Sequence, residues 1–348
     1  MWDKWKLDRQ VVHLLLRVIV LLGLGYYILY LWQTDQMHYY IAPRMSGLIL
    51  GSGVVLLVMA THQFYLLLGK LLRTDEAESC DCEDCMESDE IPLVFQWKQV
   101  VGYSLLLFPL LLAVVLPEQA LSTEIAAKKG MNLTTLASME AKRSGDAALR
   151  EEIAAQSAKD AASGAEPVSA EDMEKHRQAV LAEGTPGPDG SVIYGGKNGV
   201  PRFVSMADFD REFALFAARI YPQDVIRVEE ARYMEYLTTF DLFLQQFQGK
   251  KVEISGFVYR DETMAADQFV VGRLAVECCS ADAAPYGVMV KDAEAKRFAN
   301  NDWVRVTGVV EKSKRDEYEV LTLRVVDAVA IPEPKNQYVY PNYDFLKE

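Results

Sequence analysis

The chain has 348 residues, 50% of them hydrophobic and 25% charged, with five cysteines and a net charge of −14. Its acidity argues against binding nucleic acid phosphates through bulk charge, and five cysteines over this length are too few for a disulfide scaffold. The averages conceal an uneven chain: three long apolar blocks precede residue 118, and an ordinary water-soluble composition follows it. Acid exceeds base in both parts, 12 against 8 before residue 118 and 38 against 28 from it onward. A soluble cytoplasmic enzyme is therefore not the simplest reading.

The first block, about 11–32, covers roughly 30 Å as a helix, the thickness of a bilayer's hydrocarbon core. It follows MWDKWKLDR, which looks like the basic start of a signal peptide, but it is too long for a signal core and no A-x-A-like cleavage site follows. Its tail, YYILYLW, has the aromatic character of a far interface. The second block, about 45–68, carries Gly47, Gly51 and Gly53, spaced to admit a neighbouring helix. The third, about 98–117, has Trp97 and Lys98 at its start, Pro109 inside it and Pro117 at its end. All three are expected to span a membrane.

Basic residues set the expected orientation. Lys4, Lys6 and Arg9 precede the first span, and Lys70, Arg73 and Lys98 flank the loop between the second and third. The loop between the first and second offers only Arg44. The excess of Lys and Arg on the cytoplasmic side then places the N-terminus and the 69–97 loop in the cytoplasm of a bacterial plasma-membrane protein, with everything after 118 outside. Arg17, His62 and Gln63 fall at similar depth within the spans. Ionisable groups there face protein or water, because insertion into lipid costs about 2.5–3.5 kcal/mol. The readings are a partner-helix contact or polar track, or an Arg17 that snorkels to the headgroups beside His13.

The cytoplasmic loop contains TDEAESCDCEDCMESDE at 74–90, with nine carboxylates and the thiols of Cys80, Cys82 and Cys85. The C-x-C-x-x-C spacing lets three sulfurs converge on one soft ion, with Asp81, Asp84, water or another chain completing the set. A divalent metal such as zinc is the expected ligand. A redox pair is disfavoured, because the surrounding anions raise thiol pKa; a solvated loop with incidental cysteines is the plain alternative.

Residues 118–200 favour helix by composition but offer no wide apolar face. They are expected to form a partly helical spacer that ends at the turn-rich TPGPDG of 185–190. From 201 an ordered domain is expected. A helix should begin near Ser205 and carry Phe209, Phe213, Phe216 and Ile220. A second should bury Tyr233, Tyr236, Leu237, Phe240, Phe243, Leu244 and Phe247 as one stripe, stopped at Gly249. Five alternating segments follow: Val252–Arg260, Gln268–Cys278, Tyr286–Val290, Trp303–Glu311 and Glu317–Val329. A charged stretch, Asp292–Asn300, lies between the third and fourth. That order matches a five-stranded OB-type barrel, with Gly256 and Gly308 at its bends. The expected class is thus an α+β membrane protein: three N-terminal spans, a helical spacer, and an extracytoplasmic OB-like domain over 201–348.

Leaving the second of these strands is Glu277-Cys278-Cys279-Ser280-Ala281-Asp282. Adjacent cysteines on a strand alternate faces, and neighbouring thiols rarely bond to each other. Cys278 or Cys279 with Asp282 could ligate a metal or meet a partner. Equally, one sulfur could be a buried apolar group while Asp282 caps a turn.

With these stretches in view the chain resembles the bacterial YcgQ-like family, described as the accessory subunit of a proposed two-component permease. The likeness rests on RVIVLLGLGYY at 17–27, THQ at 61–63, KKG at 128–130, and FQGKKVEISGFVYRDE, QFVVGRLAVECCSADAAPYGVMV and WVRVTGVV in the last third. It implies a polytopic permease subunit as partner, the lipid bilayer as environment, and a metal-binding tract in the cytoplasmic loop, where many members carry a His-, Asp- and Cys-rich sequence and this chain has CDCEDC without histidine. It also implies Cys279 and Asp282, rather than Cys278, as the better ligands outside. The expected function is accessory: help in transporting a divalent metal ion or complex. The alternative is an extracytoplasmic binding or assembly module without a transport role. No Ser-His-Asp set, H-E-x-x-H helix or Walker motif occurs, so no enzymatic activity and no nucleic acid partner are expected.

Overall fold

The computed structural model describes residues 9–72, 101–105, 107–108, 111–112, 122–133, 178, 180, 182–187, 191–205, 208–315 and 318–347. They fall into two compact units, Met1–Gln119 and Ala120–Glu348.

The first unit is built on two helices, α1 (Arg9–Gln33) and α2 (Ser46–Leu72). Both are long and apolar enough to cross a membrane, and only 22% and 11% of their most apolar windows are buried. A core helix of a soluble protein would be mostly covered, so these surfaces suit lipid. The helices pack antiparallel through glycine: a Cβ on Gly25 would meet Leu57 at 2.8 Å, and one on Gly53 would meet Ile28 at 3.0 Å. Of the three glycines expected to admit a neighbour, only Gly53 does so here; Gly47 and Gly51 face open space. The third expected span lies mostly outside the described residues. Its described part is helical over 101–105, 107–108 and 111–112, and Tyr103 lies 6.0 Å from His13 between ring centroids.

The second unit is mixed α and β. The strap α3 (Ser122–Lys129) leads to a small antiparallel sheet of β1 (Thr185–Pro186), β2 (Val192–Gly195) and β3 (Arg202–Ser205). Beside that sheet packs α4 (Asp208–Ile220), burying Leu215, Phe216 and Ile220. The expected domain start at 201 falls between β2 and β3, which pair from Val192↔Ser205 to Gly195↔Arg202. The ordered domain therefore extends further towards the N-terminus than the spacer reading allowed.

The apolar stripe is buried at all seven expected positions, but as two helices, α5 (Tyr233–Leu242) and α6 (Leu244–Phe247). Phe243 breaks the run at φ −122°, ψ 33°, and its ring meets Phe203 edge-on at 5.2 Å. Phe247 packs on the same Phe203 ring at 5.6 Å. The break serves the aromatic core.

The main sheet contains β4 (Val225–Arg227), β5 (Lys251–Tyr259), β6 (Gln268–Ala275), β7 (Ala284–Lys291), β8 (Trp303–Arg315), β9 (Tyr318–Ala330) and β10 (Tyr338–Val339). Its order is β10-β6-β7-β9-β8-β5-β4, with an added β6–β5 pairing. That added pairing links the two ends of the run β6-β7-β9-β8-β5, so five strands close into a ring. Two of them, β7 and β8, lengthen beyond expectation, while β6 stops at Ala275, short of the expected Cys278; β8 and β9 pair antiparallel from Val304↔Ala330 to Arg315↔Tyr318. The ring closes at Gly256, where a Cβ would lie 2.3 Å from the Gly272 carbonyl oxygen. At the second expected bend the β8–β9 register shifts between Thr307 and Gly308. The charged stretch between β7 and β8 forms only a 3-10 turn, Ala295–Arg297.

Candidate functional site

β6 ends at Ala275, and the chain turns back into β7 through a single 3-10 turn, Ser280–Asp282. The turn is held by one carboxylate. Asp282 Oδ1 accepts the Glu277 N–H at 2.9 Å, and Oδ2 accepts the N–H groups of Cys278 at 2.7 Å and Cys279 at 3.1 Å. A carboxylate taking three backbone donors within five residues fixes the local path much as a helix cap does. Burial alone would raise the Asp282 carboxyl, but the Cys278 thiol and the three N–H donors outweigh it and hold it below its ordinary value.

This arrangement brings two thiols and the carboxylate together. Cys278 is exposed, Cys279 half-buried, and both are free thiols. Their Sγ atoms lie 3.7 Å apart, and one donor atom from each of Cys278, Cys279 and Asp282 lies within 4.8 Å of the others. Two thiolates on a tetrahedral ion with metal–sulfur bonds of ~2.3 Å would be about 3.8 Å apart. The donor set therefore fits a thiophilic divalent ion through two sulfurs, with Asp282 as a third ligand if it gives up part of its backbone bonding. The Cys278 thiol is pushed up to about 11, first by its hydrogen bond to Asp282 and then by Cys279. Any ion must displace thiol protons, so capture weakens as pH falls.

Cys279 and Asp282 are thus placed together, and Cys278 joins them despite the expectation that it was the weaker candidate. Cys80, Cys82, Cys85, Asp81 and Asp84 lie outside the described residues. Arg17 and His62 are exposed on the helix pair, whereas Gln63 is half-buried, and its Oε1 has no hydrogen-bond partner among the described residues.

Three functional candidates escaped the sequence reading. Lys129 Nζ donates to the carbonyls of Ala283 at 2.7 Å and Ala281 at 3.4 Å, on either side of Asp282. KKG was visible as a motif, but nothing in its spacing points to a turn about 150 residues away. Arg273 on β6 is 1% exposed; it donates to Glu230 at 2.9 Å and to the Asn336 carbonyl at 3.2 Å, and lies 5.0 Å over the Trp303 ring. Glu235, 6% exposed on α5, accepts the Asn342 N–H at 2.8 Å, while Oε2 has no partner among the described residues. Burial raises its carboxyl to about 7 against the smaller opposing pull of the Asn342 N–H, its own backbone and Arg232.

Comparison with known proteins bears on both units. The family domain described as the DUF1980 N-terminal domain matches residues 16–132, and the DUF1980 C-terminal domain matches 204–341. A Streptococcus mutans protein provisionally named a two-component membrane permease complex subunit is 24% identical over 154 residues, 44% of this chain and 56% of that protein. UPF0703 protein YcgQ of Bacillus subtilis is 20% identical over 158 residues, 45% of this chain and 52% of that protein. The matches thus span about half the length of these curated relatives. With both family domains present in order and the strap and cysteine turn inside them, the chain belongs to the DUF1980, or YcgQ-like, family.

Proposed function

We propose that the chain is the accessory subunit of a two-component membrane permease, anchored in a bacterial plasma membrane, that assists transport of a divalent metal ion or metal complex. The observation that carries the metal part is the Cys278–Cys279–Asp282 set, held ready on a rigid turn. The partner rests on the printed name of the Streptococcus mutans relative, and the membrane setting on two apolar helices whose surface is mostly uncovered. In this reading the ring of β5 to β9 is an OB-type barrel: its circular order β5-β6-β7-β9-β8 and its parallel β7–β9 pairing support that assignment. The loop cysteines Cys80, Cys82 and Cys85, with Asp81 and Asp84, would be a second capture tract on the cytoplasmic side. Arg17, His62 and Gln63 would contribute polar contacts to the permease within the bilayer.

Affinity purification of the full chain from detergent-solubilised membranes tests the partnership. A polytopic membrane protein should co-purify in stable ratio, and transport of zinc into or out of cells should change when the chain is deleted. Co-purification with unchanged zinc transport would instead favour the second reading, a binding or assembly module. That reading draws on Asp282 being largely occupied by backbone donors.

Orientation gives a separate test. A thiol reagent that cannot cross membranes should label Cys278 in intact cells and miss Cys80, Cys82 and Cys85. The reverse pattern would place the β-rich domain in the cytoplasm.

A further inference from the structure

The segment between the third apolar stretch and the barrel is tied down at three of four successive residues. Lys129 sits on the carbonyls of Ala281 and Ala283. Met131 covers Gly272, where its Cε and Sδ lie 3.0 and 3.3 Å from the position a Cβ would take. Asn132 bridges Tyr286 in parallel, donating its N–H to the Pro285 carbonyl at 2.9 Å and accepting the Gly287 N–H at 3.0 Å. Gly130 turns the chain from helix to bridge at φ +78°, which a side chain would strain.

This docking has room because β7 meets β9 only at Met289–Lys291. The first half of that edge of β7 is free for Asn132. The strap lies within the N-terminal family domain, 16–132, yet its contacts are to the C-terminal one, 204–341. It also follows Pro117 by only a few residues in sequence.

We propose that this strap reads the state of the cysteine turn: an ion held by Cys278, Cys279 and Asp282 fixes the carbonyls of Ala281 and Ala283, keeps Lys129 seated on them, and stiffens the run 122–133. The proposal rests on the metal reading above. The turn and the strap share the Lys129 bonds, so immobilising one lowers the freedom of the other. Charge does not drive the coupling. A divalent cation that displaces two thiol protons leaves the net charge of the turn unchanged, so the ammonium is neither repelled nor drawn in. The link is mechanical.

The test uses the full chain in detergent with Cys80→Ser, Cys82→Ser and Cys85→Ser, so that added zinc reports on the turn. Zinc binding is measured by equilibrium dialysis and strap stiffness by amide exchange. Zinc should slow exchange of the Asn132 and Gly287 amides about fivefold or more, while the Gly249 amide, bonded to Val310, stays unchanged. Lys129→Met should still bind zinc but lose this protection, and Lys129→Arg should keep it.

Zinc bound without slower exchange, or equal protection in Lys129→Met, overturns the coupling alone. Failure to bind zinc overturns the metal reading and the coupling with it. Should Lys129→Met unfold the domain, the Gly249 control still decides: protection of all three amides alike means global stabilisation and defeats the proposal.

Discussion

Replacing Gly256 with alanine is expected to open the ring of strands and lower stability by about 3 kcal/mol, the upper part of the range for forcing atoms into a packed interior. The added Cβ would face backbone, with the Gly272 oxygen at 2.3 Å, its carbonyl carbon at 2.9 Å and its nitrogen at 3.0 Å. No side-chain rotation relieves such a clash, because the atoms in the way belong to β6. Gly256 pairs with Val304 on β8, while its neighbour Phe257 pairs with both Trp303 and Gly272. The strand is therefore clamped between two partners at the point where the ring closes. Thermal unfolding of the detergent-solubilised chain, followed through amide exchange in β8, should show a midpoint lowered by roughly 6–12 °C. Ser255→Ala, one residue away and half-buried, should shift it little. An unchanged midpoint in Gly256→Ala would mean that β5 and β6 do not approach as described.

Glu235→Gln is expected to stabilise the domain at pH 8 and to flatten its stability profile between pH 4.5 and 7. The ordinary carboxyl value is 4.5, and burial raises Glu235 to about 7 in the folded chain. A raised acid is favourable only while protonated. Its contribution is complete below the unfolded value and is lost as pH climbs through the folded one. The full span corresponds to roughly 3 kcal/mol, and partial relaxation around the ionised group would reduce it to roughly 2 kcal/mol. Glutamine keeps an acceptor for the Asn342 N–H without the charge. A parent chain whose stability does not fall between pH 5 and 8, or a glutamine variant that follows the parent's profile, would refute the assignment.

These two residues mark the boundary of what the sequence makes legible. Gly256 stood out because a glycine inside an alternating VEISGFVYR run already asks for close approach, and the five strands announce themselves by period and by turn residues. The stripe from Tyr233 to Phe247 was equally plain, although the break at Phe243 was not, since it depends on the position of Phe203. Glu235 gives no local sign: it sits between Met234 and Tyr236 like any surface glutamate, and its burial comes from the chain near Asn342. The same holds for the cysteine turn. Two cysteines and an aspartate could be counted, but not the convergence of three N–H groups on one carboxylate or the arrival of Lys129. Local patterns report local geometry; contacts closed over a hundred residues or more leave little trace in either partner's neighbourhood.

The C-terminal segment has a consequence for how the protein is made. Tyr338–Val339 extends the sheet by pairing in parallel with Leu274–Ala275. Phe345 stacks on Phe213 at 5.2 Å and meets Phe216 edge-on at 5.3 Å, and the Leu346 carbonyl accepts Arg219 Nη1 at 3.0 Å. Residues this late in the chain thus complete a core whose other walls, β6 and α4, were synthesised 64 and 127 residues earlier at these contacts. During synthesis the nascent domain must wait with β6 and α4 partly uncovered until 338–346 emerge, a state open to chaperones and to proteases alike. Delayed closure of this kind prolongs the exposure of those surfaces, and it makes loss of residues 338–346 far more damaging than the size of that segment would suggest.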